Sequence, residues 1–160
     1  MAESSYQQFK LRPFYNLYAR WPYESSGGKY VGLMQVPNGA GNAWNWLTNT
    51  QSASTTFQSK LLIATPWASN QATNCGVPSL SSQQLEDEAL SLYGGFASSD
   101  SCGSADPYYW RVMCGATVVD CSQPLNGGCS GTLQWGVTTV CNDAKDYVND
   151  LRNATPPSCP

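Results

Sequence analysis

The chain has 160 residues, of which 12% are charged, and it carries a formal net charge of −3 and no histidine. This length is typical of one domain, and its eight lysines and arginines are scattered, which argues against nucleic-acid binding because phosphates require clustered cations. Without histidine, Ser-His-Asp catalysis, Cys-His catalysis and histidine-based metal sites are excluded. We therefore expect no metal or other cofactor, and any chemistry must use carboxylates, tyrosines, thiols or backbone groups.

The first part of the chain is predicted to contain a long loop followed by a helical region. Residues 3–10 are typical of the middle of a helix, so we expect the chain to lack the first part of that helix. Residues 11–31 are rich in tyrosine, proline and glycine and are predicted to form a loop. In residues 43–64 apolar side chains recur at roughly helical spacing, which predicts one or two helices joined near Thr50.

Two further helices are predicted in the second half of the chain. Residues 64–80 are predicted to form a loop. The stretch "SSQQLEDEALSLYGGF" then predicts a helix, because Ser82 is suited to the N-cap, acidic residues follow it, and Gly94 and Gly95 mark the end. Residues 140–154 predict a terminal helix with four apolar side chains on one face: Val140, Ala144, Val148 and Leu151.

The segment between these two helices is rich in aromatic residues and in turns. The apolar stretch "PYYWRVMCG" predicts either a short helix or a strand. Residues 115–135 are predicted to be rich in turns, with "CSQPLNGGCSGT" at their centre. The elements together predict a mainly α protein with long loops.

The seven cysteines all lie in the second half of the chain, and none forms a CxxC pair, which argues against a zinc ribbon or a thioredoxin-like motif. They predict up to three disulfides that staple the C-terminal half, with the pairing left open, in a secreted or periplasmic protein. The seventh cysteine is free or pairs outside the chain, so we expect a monomer unless it pairs between chains. The seven are Cys75, Cys102, Cys114, Cys121, Cys129, Cys141 and Cys159. No stretch approaches the roughly 20 apolar residues of a membrane span.

Two of the eleven carboxylates stand out as candidates for catalysis. Cleavage of a glycosidic bond needs only carboxyl groups, one of which acts as a general acid. Glu3 and Glu24 each open an "ESS" triplet and lie among aromatic residues, and apolar neighbours raise the pKa of a carboxyl group as a general acid requires. The alternative is that neither residue is catalytic. Glu24 would then be a polar loop residue before a glycine turn, and Glu3 would be a charged residue near the terminus.

Five short segments occur in an order that resembles the soluble lytic transglycosylase and goose-type lysozyme family. They are "ESS" at 3–5, "GLMQV" at 32–36, "AWNWLTN" at 43–49, "KLLIA" at 60–64 and "EALSLYGGF" at 88–96. The resemblance covers roughly residues 1–110. It implies one lysozyme-like α(+β) domain of the transglycosylase type over residues 1–160, whereas the cysteine-rich segment 114–159 has no counterpart.

The resemblance also assigns roles to individual residues. It makes Glu3 the catalytic acid and base, with Glu24 as the alternative, and Glu88 a structural acid of its helix. Tyr93 corresponds to the tyrosine that hydrogen-bonds the catalytic glutamate, although Gly94 stands where the family has asparagine. Sugar contacts are expected from Ser4, Gly32, Leu33, Met34 and Gln35. Tyr108, Tyr109 and Trp110 are further candidates, because exposed aromatic rings stack on sugars. The alternative for these three residues is a place in the buried core.

The implied substrate is the glycan strand of peptidoglycan, cleaved between N-acetylmuramic acid and N-acetylglucosamine. Attack by the muramyl C6 hydroxyl would make the chain a lytic transglycosylase, and attack by water would make it a lysozyme. One alternative is a wall- or glycan-binding module that keeps the groove without catalysis, which the replacement at Gly94 favours. The other is a disulfide-stapled structural or interaction domain in which "GLMQV" is a coincidence.

Overall fold

A computed structural model describes residues 9–14, 17–22, 24–25, 30–31, 36–37, 39, 44–94, 108–125, 128–138 and 141–153, with side chains described from residue 44 onward. The chain divides into two compact units, residues 1–56 with 154–160 and residues 57–153. The prediction of one lysozyme-like domain is not tested by this division and stays a prediction.

The described part of the first unit contains short antiparallel strands where a loop was predicted. Strand β1 (Phe9–Phe14) pairs with β2 (Leu17–Pro22), and β3 (Glu24–Ser25), β4 (Tyr30–Val31) and β5 (Val36–Pro37) form a second sheet in that order. The loop prediction for residues 11–31 was therefore wrong in large part, as was the helix prediction at residues 9 and 10. Apolar and polar residues alternate in "FKLRPF", and this period of two suits a strand.

Helix α1 (Trp46–Cys75) is one continuous helix. Asn45 caps it, because its side-chain oxygen accepts hydrogen bonds from the backbone N–H groups of residues 47 and 48 at 2.9 and 3.3 Å. The helix has no break near Thr50, and the loop prediction for residues 64–80 was wrong as far as Cys75. Packing explains why the helix continues past Pro66: small buried side chains recur at every fourth position, at Ala64, Ala68 and Ala72.

The two other described helices confirm their predictions. Helix α2 (Ser82–Tyr93) begins one residue earlier than expected, because Ser81 is the N-cap and forms a capping box with Gln84. It ends at Gly94, whose N–H donates to the carbonyl of residue 90 at 3.0 Å. Helix α3 (Asn142–Asn153) buries two side chains of the predicted apolar face, Ala144 and Val148.

A three-stranded antiparallel sheet completes the described part of the second unit, in the order β7-β6-β8. The stretch predicted as a helix or strand is strand β6 (Trp110–Cys114), and the turn-rich segment supplies β7 (Thr117–Val118) and β8 (Leu133–Val137). Gly115 has a φ of 61°, a left-handed conformation that glycine adopts without strain in the tight turn from β6 to β7.

The disulfide prediction is confirmed, and four of the cysteines now have a pairing. Cys75 at the end of α1 pairs with Cys121, and Cys114 pairs with Cys129. Cys141 is also disulfide-bonded, and its partner lies outside the described residues. Cys102 and Cys159 belong to the part of the chain that is not described. Disulfides are typical of an oxidising compartment.

A core cluster lies between the end of α1 and the sheet. Its buried members are Ala72, Cys75, Val77, Val112 and Cys121, and Val119, Leu125, Leu133 and Trp135 pack around them. The described residues thus have a mixed architecture of helices and small sheets, which is consistent with the predicted α(+β) class. Within the described ranges, no helix is long and apolar enough to cross a membrane.

Candidate functional site

The predicted catalytic and sugar-binding residues fall into two groups. Glu3, Ser4 and residues 32–35 lie outside the described residues, and Glu24 is described only through its backbone, which pairs with Val31 of β4. Tyr93, Tyr109 and Trp110 are described with their side chains, all in the second unit. The predicted roles of both groups stay predictions.

Glu88 anchors strand β6 to helix α2. Its side chain is fully buried, with 0% of its surface exposed. One carboxylate oxygen accepts the backbone N–H of Tyr109 at 3.0 Å, and the other accepts the backbone N–H of Trp110. Because buried N–H groups need acceptors, this carboxylate fixes where β6 begins. The arrangement agrees with the structural role that the resemblance implies for Glu88.

Tyr109 is held through its side chain by one hydrogen bond and by one aromatic contact. It is only 6% exposed, and its hydroxyl donates to Asn149 Oδ1 of α3 at 2.9 Å. Its ring meets the Trp110 ring edge to face, with centroids 5.6 Å apart. A sugar could therefore reach the Tyr109 ring only after this packing opens.

Trp110 is half-buried, and the residues around its indole connect α2 with α3. The indole N–H donates to Asp87 Oδ2 at 3.1 Å, while Asp87 Oδ1 accepts from Arg152 Nε at 2.7 Å. Arg152 also contacts Glu86 Oε2 and the carbonyl of Gln83, both at 3.2 Å. Asp87 is 7% exposed, and its pairing with Arg152 satisfies the charge that burial would otherwise penalise.

The surroundings of Tyr109 make the second unit sensitive to alkali. Burial first, and then the negative charges of Asp87 and Glu88, raise the pKa of Tyr109 above its ordinary value of 10.0, against an opposing effect of Arg152. A raised pKa in the folded state means that stability is fully present below about pH 10 and is lost as the pH rises toward the folded-state pKa.

Tyr109→Phe is therefore expected to remove part of this alkaline destabilisation. At pH 7 the variant should lose about 1 kcal/mol of unfolding free energy, because the bond to Asn149 is gone. Above about pH 10 the gap between wild type and variant should shrink. Urea unfolding at both pH values measures this, with Tyr147→Phe as the matched control. Parallel pH profiles for wild type and Tyr109→Phe would contradict the prediction.

A second cluster of aromatic side chains lies in the same unit, and most of its members were not predicted from the sequence. Trp67 of α1 stacks on Tyr108, with ring centroids 3.6 Å apart and planes within 2°. Trp135 of β8 is tilted against Trp67 at 6.2 Å, and its indole N–H donates to the carbonyl of Pro78 at 2.6 Å. The guanidinium of Arg111 lies 5.9 Å from the Trp67 ring centroid. We call these four side chains, of residues 67, 108, 111 and 135, the aromatic cluster.

Within the described ranges, no group of three or more acidic, cysteine or histidine side chains is arranged to hold a metal ion.

The chain matches no protein-family model, and neither a curated protein nor a solved structure shows significant similarity to it. The likeness to lytic transglycosylases therefore rests on the five sequence segments alone.

Proposed function

We propose that the chain is a peptidoglycan-cleaving glycosidase with a lysozyme-like fold and Glu3 as its acid and base. The observation that carries the proposal is the order of the five segments, from "ESS" at residue 3 to "EALSLYGGF" at residue 88. Each segment is short, but the succession of all five in this order is far more specific than any one of them, although the 29 residues from Glu3 to Gly32 exceed the usual spacing of the family. The absence of histidine is compatible with this chemistry, because glycosidases need only carboxyl groups.

The proposed reaction uses one carboxyl group twice. Glu3 first donates its proton to the glycosidic oxygen, so that the bond from the muramyl C1 breaks and the N-acetylglucosamine leaves as an alcohol. The Glu3 carboxylate then takes the proton of the muramyl C6 hydroxyl while that oxygen bonds to C1, which closes a 1,6-anhydro ring. If a water molecule is activated instead, the product has a reducing end. Residues 32–35 would bind the sugar beside the acid.

Helix α2 is compatible with the role that the resemblance gives to its residues. Tyr93 is the last residue of the helix, half-buried and directly before the terminating Gly94. Glu88 lies inside the same helix and is used for structure, so it is not a competitor for the catalytic role. The disulfides fit a protein that works outside the cytoplasm, where peptidoglycan is found.

A second candidate function is a binding module that recognises the same glycan without cleaving it. Gly94 favours this candidate, because the family has an asparagine after the tyrosine and glycine has no side chain to replace it. The groove residues would be kept, and only turnover would be absent.

Glu3→Gln is expected to abolish turnover of purified peptidoglycan by the oxidised protein. General acid–base catalysis contributes a factor of about 100 or more, so the yield of soluble products should fall at least that far. Mass spectrometry of the products measures the loss and also identifies their ends. Anhydromuropeptides from the wild type indicate a lytic transglycosylase, and reducing ends indicate a lysozyme.

Glu24→Gln is the matched control, since it makes the same change in the other "ESS" triplet. It should retain activity. Loss of activity only in Glu24→Gln would move the acid to that residue. If the wild type forms no products but still sediments with peptidoglycan, the enzyme proposal is wrong and the binding module takes its place.

A further inference from the structure

The aromatic cluster has the composition of a sugar-binding surface. Its side chains come from three places in the second unit, namely α1, the residues before and within β6, and β8. All four side chains are half-buried. Aromatic rings that keep part of their surface exposed offer a flat apolar area, on which the C–H face of a pyranose ring can stack.

The flat stack of Trp67 on Tyr108 gives the cluster a defined orientation. The two planes are parallel within 2°, so each ring has one face inside the stack and one face directed away from it. Trp135 is fixed beside them by its hydrogen bond to the carbonyl of Pro78. Rings held by packing and a hydrogen bond lose little conformational entropy when a ligand binds, which favours binding.

The charges around the cluster favour a neutral ligand with hydroxyl groups. Helix α1 carries a single charged side chain, Lys60, in its 30 residues. Arg111 supplies a planar group of hydrogen-bond donors beside the rings. Its positive charge also lowers the pKa of Asp120 slightly, after the larger effects of the hydrogen bonds from Ser122 and against the opposing effect of burial.

We propose that the aromatic cluster is an accessory binding site for a chain of neutral pyranose sugars. One sugar ring would stack on the face of Tyr108 that is directed away from Trp67, and Arg111, which lies over the Trp67 ring, would donate to hydroxyl or carbonyl oxygens of the same or the next sugar. The site needs none of the catalytic residues, so it goes beyond the proposed function. Only the choice of N-acetylglucosamine oligomers as the first probe rests on that function.

Tyr108→Leu is expected to weaken sugar binding about tenfold, because the variant keeps an apolar side chain but loses the flat ring. The experiment titrates full-length oxidised protein carrying Glu3→Gln, so that the probe is not cleaved, with N,N′,N″,N‴-tetraacetylchitotetraose and in parallel with cellotetraose. Tryptophan fluorescence reports binding next to Trp67 and Trp135. Tyr147→Leu is the matched control, since it makes the same change at a half-buried tyrosine of α3.

The proposal is supported if the parent protein and Tyr147→Leu bind with similar affinity and Tyr108→Leu binds about tenfold more weakly. If Tyr108→Leu does not fold, Arg111→Gln provides the second variant and should weaken binding several-fold. Absence of saturable binding, or equal weakening in both tyrosine variants, overturns the proposal. So does self-association that Tyr108→Leu abolishes, because the cluster would then bind a second copy of the chain.

The two proposals can fail separately. A protein that binds chitotetraose through Tyr108 but cleaves no peptidoglycan would support the accessory site and refute the enzyme. If the wild type cleaves peptidoglycan but the Glu3→Gln variant binds neither sugar at the cluster, the enzyme is supported and the accessory site is refuted.

Discussion

Glu88→Ala is expected to destabilise the second unit by about 3–5 kcal/mol, because it leaves the buried N–H of Tyr109 and the partly buried N–H of Trp110 without their acceptor, each at a cost of roughly 1–3 kcal/mol. That loss is a large fraction of the 5–15 kcal/mol by which a typical domain is stable. The side chain is fully buried, so its removal also leaves a cavity in the protein interior. Urea unfolding followed by tryptophan fluorescence measures the loss.

Two further variants separate the hydrogen bonds of Glu88 from the general effect of losing a charge. Glu86→Ala removes an acid from the same helix whose side chain is 50% exposed and pairs with Arg152 at 3.2 Å, so it should cost less than about 1 kcal/mol. Glu88→Gln keeps the side-chain volume but offers only one acceptor oxygen. Its loss of unfolding free energy should therefore lie between those of Glu88→Ala and Glu86→Ala. If Glu88→Ala and Glu86→Ala unfold at the same urea concentration, the anchoring role of Glu88 is wrong.

Local signals made helices α2 and α3 predictable. In α2, a serine before the helix, a glutamine three residues later and a glycine after it are bonded within the segment itself. In α3, apolar side chains at Ala144 and Val148 are four residues apart and face the interior. Where the stabilising contacts are local, the sequence carries enough information to place the element.

Helix α1 was predicted too short because its stabilising face is made of alanine. Residues 64–75 contain Pro66, one serine, two threonines and two asparagines, which are residue types typical of loops. The signal that was overlooked is the spacing of Ala64, Ala68 and Ala72, whose side chains are too small to register as a hydrophobic stripe but suit close packing. Trp67 was missed for the same reason, since it lay in a predicted loop.

The polar contacts of the candidate site could not be predicted from local patterns. Asp87 and Arg152 are 65 residues apart, and Tyr109 and Asn149 are 40 apart. The local sequence around each of these residues does not specify its distant partner, because the members of each pair meet only after α2, α3 and β6 have packed. The resemblance supplied a structural role for Glu88, but it did not indicate which N–H groups the carboxylate binds.

Replacing Cys75 and Cys121 together by alanine is expected to cost about 4 kcal/mol, the loop-closure entropy of a link between residues 46 apart, in addition to the lost packing. Both cysteines belong to the core cluster beside Val112. Two hydrogen bonds join the same two segments, the end of α1 and the residues around Cys121. Asn74 Nδ2 donates to the carbonyl of Cys121 at 2.9 Å, and the N–H of Leu125 donates to the carbonyl of Asn74 at 3.2 Å. The measurement is urea unfolding of the purified double variant against wild type.

The double variant Cys114→Ala/Cys129→Ala is the matched control for this link. Its residues are only 15 apart and both are half-buried, so its loss should stay near the purely entropic value of about 3 kcal/mol. Loss of the Cys75 disulfide should cost more, because this bond and the hydrogen bonds of Asn74 together join the end of α1 to the segment that follows β7. Removing the disulfide also weakens the contacts of Asn74. If the Cys114/Cys129 variant is the less stable of the two, the prediction is wrong. The disulfide that closes the shorter loop would then contribute more to stability than the one at Cys121.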